Sequence, residues 1–258
     1  MGKIFEAMYG ADGDSVETET EANKQHEVVE ETVENSVRRY PENLILPLGR
    51  TFDGNAKWRR DMRKVTINLM VQADPQEVGG KAVMFSGMSK NVGTSTVTAQ
   101  VAKILAAEYS RHRVLVLDVR EAGVSDAMTL DRAMMDGYSV DDVLSGCDSE
   151  GIFRMLVSSS DEQGRSAMIS HQLREFIAKA REHFDWVLLD MPKQGSTPLA
   201  DSLGRVVDGV AIVANTGVTR VPAINAVEED MEQLGINLLG VILNFRKYPI
   251  PSWLLRFL

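Results

Sequence analysis

The stretch of this chain with the most chemical potential is 85-FSGMSKNVGTSTVTAQVA-102, a polar turn with Gly87 and Gly93 set between two apolar segments. Before it runs Ala82 to Phe85. After it, Val97, Val101 and Leu105 recur at i, i+4 and i+8, with Ile104 widening the stripe, which predicts a helix. Strand, glycine-bearing turn and helix is the layout of a phosphate-binding loop, in which backbone N–H groups and a helix N-terminus cradle an anion. Ser95 and Thr96 stand where such a loop places the hydroxyl that meets Mg²⁺. The full pattern is G-x-x-x-x-G-K-[ST]. Aligned on Gly93, it meets Met88 at the first glycine and Thr94 at the lysine, so the main phosphate-binding cation is absent.

Two further apolar runs end in an acid. The run Val114–Leu117 leads to Asp118, and 185-DWVLLDMPK-193 carries Asp190. Such runs imply strands buried on both faces, as in a parallel sheet, and ligands of open α/β sheets bind at the carboxyl ends of the strands. A carboxylate there holds Mg²⁺ through water or orients the attacking group. Two such strands and the loop point to a P-loop-type fold, with another doubly wound sheet as the alternative.

The elements that must position these residues alternate along the chain. Strand patterns at Ile152–Val157, Gly209–Ala214 and Leu238–Leu243 interleave with the helix-like 139-SVDDVLSG-146, the stripe Ile169, Leu173, Phe176, Ile177, Ala180, Phe184, and the stripe Val221, Ile224, Val227, Met231, Leu234. This predicts an α/β, doubly wound, mostly parallel sheet in three layers. Upstream, 57-KWRRDMRKVTINLMVQ-72 sets Trp58, Met62, Val65 and Leu69 at helical spacing with Arg59, Arg60, Arg63 and Lys64 on the other sides. It reads as a helix packed on the core or as a basic helix docking on a neighbouring subunit.

At the N-terminal end, residues 1–11 carry a short amphipathic helix pattern with Ile4, Phe5 and Met8 on one face. Residues 12–40 read as a disordered acidic linker: between Asp12 and Glu34 nine acids stand against Lys24. The main domain is expected over 41–248, opening with an extended Pro- and Gly-bearing segment from Pro41 to Gly54. An apolar tail, 249–258, follows, folded back on the domain or docked on a membrane surface or partner. The net charge of −9 argues against nucleic-acid binding. A single cysteine, Cys147, suits a reducing cytoplasm, and neither a signal peptide nor a membrane-spanning run is expected.

The order of these motifs resembles the bacterial tyrosine kinases (BY-kinases, CpsD/CapB-like) of capsule and exopolysaccharide assembly, relatives of the ParA/MinD ATPases. The supporting stretches are 85–102, 114-VLVLDVR-120, 140-VDDVLSG-146, 184-FDWVLLDMP-192, 208-DGVAIVANTGVTR-220 and 235-GINLLGVILN-244. The resemblance implies ATP and Mg²⁺ as cofactors. Asn91, Val92, Gly93, Thr94, Ser95 and Thr96 would supply loop amides, and Ser95, Asp118 and Asp190 the metal site. Asn244 would fall where such folds meet the adenine. It also implies a membrane-embedded chain-length determinant (co-polymerase) partner, peripheral attachment to the inner face of the membrane, and a possible homo-oligomer.

Departures accompany the resemblance. The family's lysine falls on Thr94 and its loop glycine on Asn91, a residue that tolerates left-handed backbone. The second acid of a D-x-D-x-R pattern is missing after Asp118, Lys193 follows Pro192 where the family has paired prolines, and beyond Tyr138 the chain holds only Tyr248. Lys90 is either a substitute cation or a solvent-facing lysine on a turn. The expected function is a BY-kinase-like regulator with impaired nucleotide binding and kinase activity. The alternatives are an active tyrosine autokinase and a ParA/MinD-like localisation ATPase, although Ser89 stands at the latter's signature lysine.

Overall fold

A strand that is apolar on both faces needs a covered sheet, and the chain supplies one. The computed structural model describes residues 44–46, 48, 54, 56–73, 79–108, 113–120, 128–147, 151–158 and 166–245. The predicted helix at 1–11, the linker 12–40, Tyr248 and the tail 249–258 lie outside the described residues. The strands are β1 (Ile45–Leu46), β2 (Lys81–Gly87), β3 (Val114–Arg120), β4 (Ile152–Ser158), β5 (Trp186–Lys193), β6 (Gly209–Asn215) and β7 (Leu238–Asn244). The helices are α1 (Ala56–Gln72), α2 (Thr94–Glu108), α3 (Leu130–Met135), α4 (Val140–Leu144), α5 (Ser166–His183), α6 (Pro198–Gly204) and α7 (Val221–Gln233).

The seven strands lie in the order β1-β4-β3-β5-β2-β6-β7. All pairings are parallel except β1 with β4, where the extended segment after Pro41 adds two antiparallel residues at the edge. After β2 the chain crosses to β3, beyond β5, and only later places β6 on β2's other side. That reversal opens a crevice at the carboxyl ends of β2, β5 and β3.

Side chains alternate between the two faces and build two separate cores. Val83, Phe85, Val114, Val116, Trp186, Leu188, Ala211 and Val213 face α1 and α2. Ala82, Met84, Leu115, Leu117, Val187, Leu189, Val210 and Ile212 face the opposite way, against α3 to α6 and Met231 of α7. The three-layer αβα arrangement predicted from the sequence is therefore present. Phe85 and Phe176 are both fully buried, and each such side chain contributes about 1.5–3 kcal/mol of transfer free energy.

On α1 the predicted stripe shifts slightly. Met62, Thr66 and Leu69 are buried, while Trp58 and Val65 are half-buried. Thr66 escapes notice in a hydrophobicity pattern because it is polar. Its hydroxyl donates to the Met62 carbonyl at 3.0 Å, which satisfies it inside the core. Arg63 reaches α2 and pairs with Glu108 at 2.5 Å.

At the amino edge of the sheet, backbone meets backbone. The Gly80 N–H donates to the Arg181 carbonyl (2.8 Å), and Arg181 Nε donates back to the Gly80 carbonyl (2.8 Å). Arg181 also pairs with Asp208, whose other oxygen accepts from Ala82 N at 2.6 Å. A Cβ on Gly80 would sit 1.8 Å from the Phe184 carbonyl oxygen, so β2 reaches this position only through glycine. Gly80→Ala is expected to cost about 3 kcal/mol or more, read as a lowered urea midpoint.

Candidate functional site

The turn after β2 is held by its neighbours before any ligand arrives. Met88 N donates to the Val213 carbonyl (2.9 Å), Gln194 N to the Gly87 carbonyl (2.8 Å), and the Ser86 hydroxyl to the Pro192 carbonyl (2.9 Å). Val92 is buried at 2% exposure and pins the loop into the core under α1 and α2. Asn91 (φ 61°) and Gly93 (φ 87°) both adopt left-handed backbone, so the loop bends as a phosphate cradle requires, with asparagine at one of the two positions. Asn244 closes the loop from β7. Its Nδ2 donates to the Val92 carbonyl at 2.9 Å, and its Oδ1 accepts from Phe245 N at 2.9 Å. A Cβ on Gly93 would lie 2.5 Å from that Nδ2, a second reason for glycine there.

The loop opens into a cleft of about 580 Å³ lined by residues 89–96, 118–120, 190–193 and Phe245. Of the residues singled out from sequence, Lys90, Asn91, Val92, Gly93, Thr94, Ser95, Thr96, Asp118 and Asp190 all line it. Asn244 stands behind the loop, with both ends of its amide engaged by protein. Thr94 opens α2, and its Oγ1 lies 2.8 Å from where a Cβ on Gly87 would be, tucked against the end of β2. Phe245, half-exposed with φ 55°, is an aromatic at the rim that the sequence reading passed over because it follows the last strand.

Strand register brings the two carboxylates together. Asp118 on β3 is paired directly with Asp190 on β5, on the face covered by α2. Asp118 is 3% exposed and bound by two guanidiniums. Arg120 donates through Nε (2.5 Å) and Nη2 (2.8 Å), and Arg154 of β4 through Nε (3.0 Å) and Nη2. Arg120 was visible in sequence as the next same-face residue on β3. Arg154 was not, since only the β3–β4 register, Val116 opposite Arg154, places it diagonal to Asp118.

Asp190 has a different neighbourhood. It is 5% exposed, and burial pushes its carboxyl up to about 7; the Asp118 charge adds to the rise, while a hydrogen bond from Ser95 and the charges of Arg120 and Arg154 oppose it. A divalent cation here would supply positive charge against ligand phosphates. The residues present fit that ion poorly: both Asp118 oxygens are committed to arginines, and Asp190 accepts from Ser95. Among the described residues no group of three or more His, Cys, Asp or Glu forms a metal cluster.

Comparison with known proteins agrees with the resemblance read from the motifs. No protein-family model matches the chain. It is 25% identical over 218 residues to the tyrosine-protein kinase Wzc of Salmonella typhi, covering 81% of this chain and 29% of that protein. The chain is a homologue of bacterial tyrosine kinases. A second relative, tyrosine-protein kinase YwqD of Bacillus subtilis, is 22% identical over 173 residues, covering 65% of this chain and 73% of the relative. The chain thus spans about 29% of the length of the Wzc relative. Among solved structures, the kinase domain of Escherichia coli tyrosine kinase ETK superposes with a TM-score of 0.55 at 18% identity, covering 84% of this chain and 87% of that one. A ParA family ATPase from Chlorobium tepidum gives 0.51 at 14% identity, covering 64% and 73%. At these identities the structural likeness establishes the fold, a P-loop NTPase-like α/β sheet.

The raised Asp190 value has a consequence for stability. An unfolded aspartate ionises near 3.8, the folded one near 7, so between these values the folded chain holds the extra proton. Its contribution therefore weakens stability as pH rises through that window and is constant above it. Asp190→Asn is expected to remove the effect. The melting temperature of the variant relative to the parent should rise between about pH 4 and pH 7 and level off above, measured by calorimetry in matched buffers.

Proposed function

We propose that the chain is a BY-kinase-like regulator of exopolysaccharide or capsule polymerisation and export, built on a nucleotide-binding fold with impaired phosphoryl transfer. The observation that carries this reading is Thr94 at the head of α2, where the loop pattern calls for lysine. The rest of the cradle is kept: left-handed backbone at Asn91 and Gly93, the hydroxyls of Ser95 and Thr96, and a helix N-terminus aimed at the cleft. Such a loop suits the phosphates of ATP. Without the lysine it lacks the charge that stabilises the leaving group, and losing one positioned electrostatic group costs about 10²–10³ in rate. In this reading Phe245, at the rim of the cleft, meets the base, while Asn244 braces the loop behind it.

The proposed setting is the cytoplasm, at the inner face of the cell membrane, through a membrane-embedded chain-length determinant or co-polymerase protein. Homo-oligomerisation belongs to the same reading, and nucleic acid does not, given the net charge of −9. Among the described residues no helix is long and apolar enough to cross a membrane. An active tyrosine autokinase is the second reading, favoured by Lys90 and Lys193, which both line the cleft. A ParA/MinD-like ATPase rests on fold likeness alone.

With purified chain and labelled ATP, turnover is expected at least about 10²-fold below that of an intact P-loop kinase. Robust autophosphorylation at micromolar ATP would overturn the regulator reading, and loss of that activity in Lys90→Ala would identify the substitute cation. For the partner, fractionation of cells with and without the chain-length protein is decisive. The chain is expected on membranes only when that protein is present, and a chain that stays in the supernatant even then would refute recruitment.

A further inference from the structure

The corner of the cleft where carboxylates would hold a metal also holds two arginines. Arg120 occupies the next same-face position after Asp118, where a D-x-D spacing would put a second acid, and it turns its guanidinium onto Asp118 instead. Arg154 binds the same carboxylate from β4 and lines an adjoining cavity of about 150 Å³ together with Ser95, Thr96, Asp118 and Asp190. Across the cleft, Lys193 emerges from the end of β5, exposed, with its carbonyl fixed by Ser196 N (3.1 Å) and the Ser196 hydroxyl (2.6 Å). Lys90 lines the loop side. Four cationic side chains thus line the cleft and its adjoining cavity together with two carboxylates, one of which is bound by both arginines.

We infer that the cleft takes its phosphate-bearing ligand without a divalent cation, with Arg120 and Lys193 supplying the positive charge that a metal would otherwise bring. The inference rests on the nucleotide-binding reading above and deepens it. A hard dication needs oxygen ligands and is repelled by guanidinium and ammonium groups. A metal-free triphosphate has the opposite requirement: it arrives strongly anionic and is bound best by such groups. Arg120 is suited to this because it lines the cleft with its side chain 42% exposed, while two hydrogen bonds to buried Asp118 hold its guanidinium in place. Anchoring orients the planar fork for phosphate oxygens before binding.

The test is calorimetric titration of ATP into the full chain, once in EDTA and once with excess Mg²⁺. Affinity in EDTA is expected to equal or exceed that in Mg²⁺. Lys193→Ala is expected to weaken the EDTA affinity by about tenfold or more, as for loss of a charged hydrogen bond, with an unchanged melting temperature. Arg120→Asp, which replaces the clamp by a second acid, should make binding depend on Mg²⁺. If that variant does not fold, titration of Mn²⁺ alone into the parent chain, read by electron paramagnetic resonance, serves instead and should detect no bound ion. Binding of ATP only in Mg²⁺, or tight Mn²⁺ binding without nucleotide, would overturn metal independence and leave the nucleotide-binding reading intact. Binding under neither condition would overturn that reading itself and the inference with it.

Discussion

A strand side chain can point to only one of two faces, and that alternation is the constraint on which this molecule depends. On β2, β3, β5 and β6 it divides neighbouring apolar residues between two cores that never mix. It also decides where charge can go. Asp118, Arg120, Asp190 and Arg154 all fall on the face beneath α1 and α2, the two acids and Arg120 toward the carboxyl ends of their strands and Arg154 earlier in β4. A one-residue slip of β4 against β3 would turn Arg154 into the opposite core and leave Asp118 with a single partner.

The arginine pair on Asp118 is better understood as an electrostatic setting than as a source of stability. Burying ions is costly, and replacing such a cluster with apolar residues is often neutral or stabilising, whereas removing one member strands a buried charge at about 3–5 kcal/mol. The chain nonetheless keeps two guanidiniums on one carboxylate between the cleft and its adjoining cavity. Asp190, one strand away, holds its proton more tightly than an ordinary aspartate because it is buried and faces the Asp118 charge, which the Ser95 hydroxyl and the arginines offset only in part. Two acids in direct register therefore have different neighbours, one clamped by two guanidiniums and the other hydrogen-bonded by Ser95.

The shape of the cradle does not depend on its charge. Asn91 reaches the left-handed φ of 61° that the bend needs, and the loop is braced by hydrogen bonds to β5, β6 and β7. None of those braces depends on the side chain at position 94. A loop built this way keeps its form when the lysine is lost, so homology to bacterial tyrosine kinases and an altered cation set can coexist in one chain.

Sequence by itself determined the alternation of strands and helices, the three-layer class, the cradle and the two strand-end acids. Each of these is written in local periodicity: two-sided apolar runs of about four residues, a 3.6-residue stripe after Gly93, and Asp118 and Asp190 just past their runs. It did not determine what those acids bind. Arg154 is 36 residues from Asp118 in the chain, and no local pattern links them; parallel β3–β4 register does. Asn244 is 152 residues from Val92, and its role as a brace of the loop exists only because β7 lies next to β6, beside β2. Thr66 was hidden for a third reason, since its polarity is cancelled by a bond to its own helix. Local pattern depends on side-chain chemistry and period, which the sequence carries directly. The partner of a buried charge depends on strand order, which is settled only when non-neighbouring strands pair.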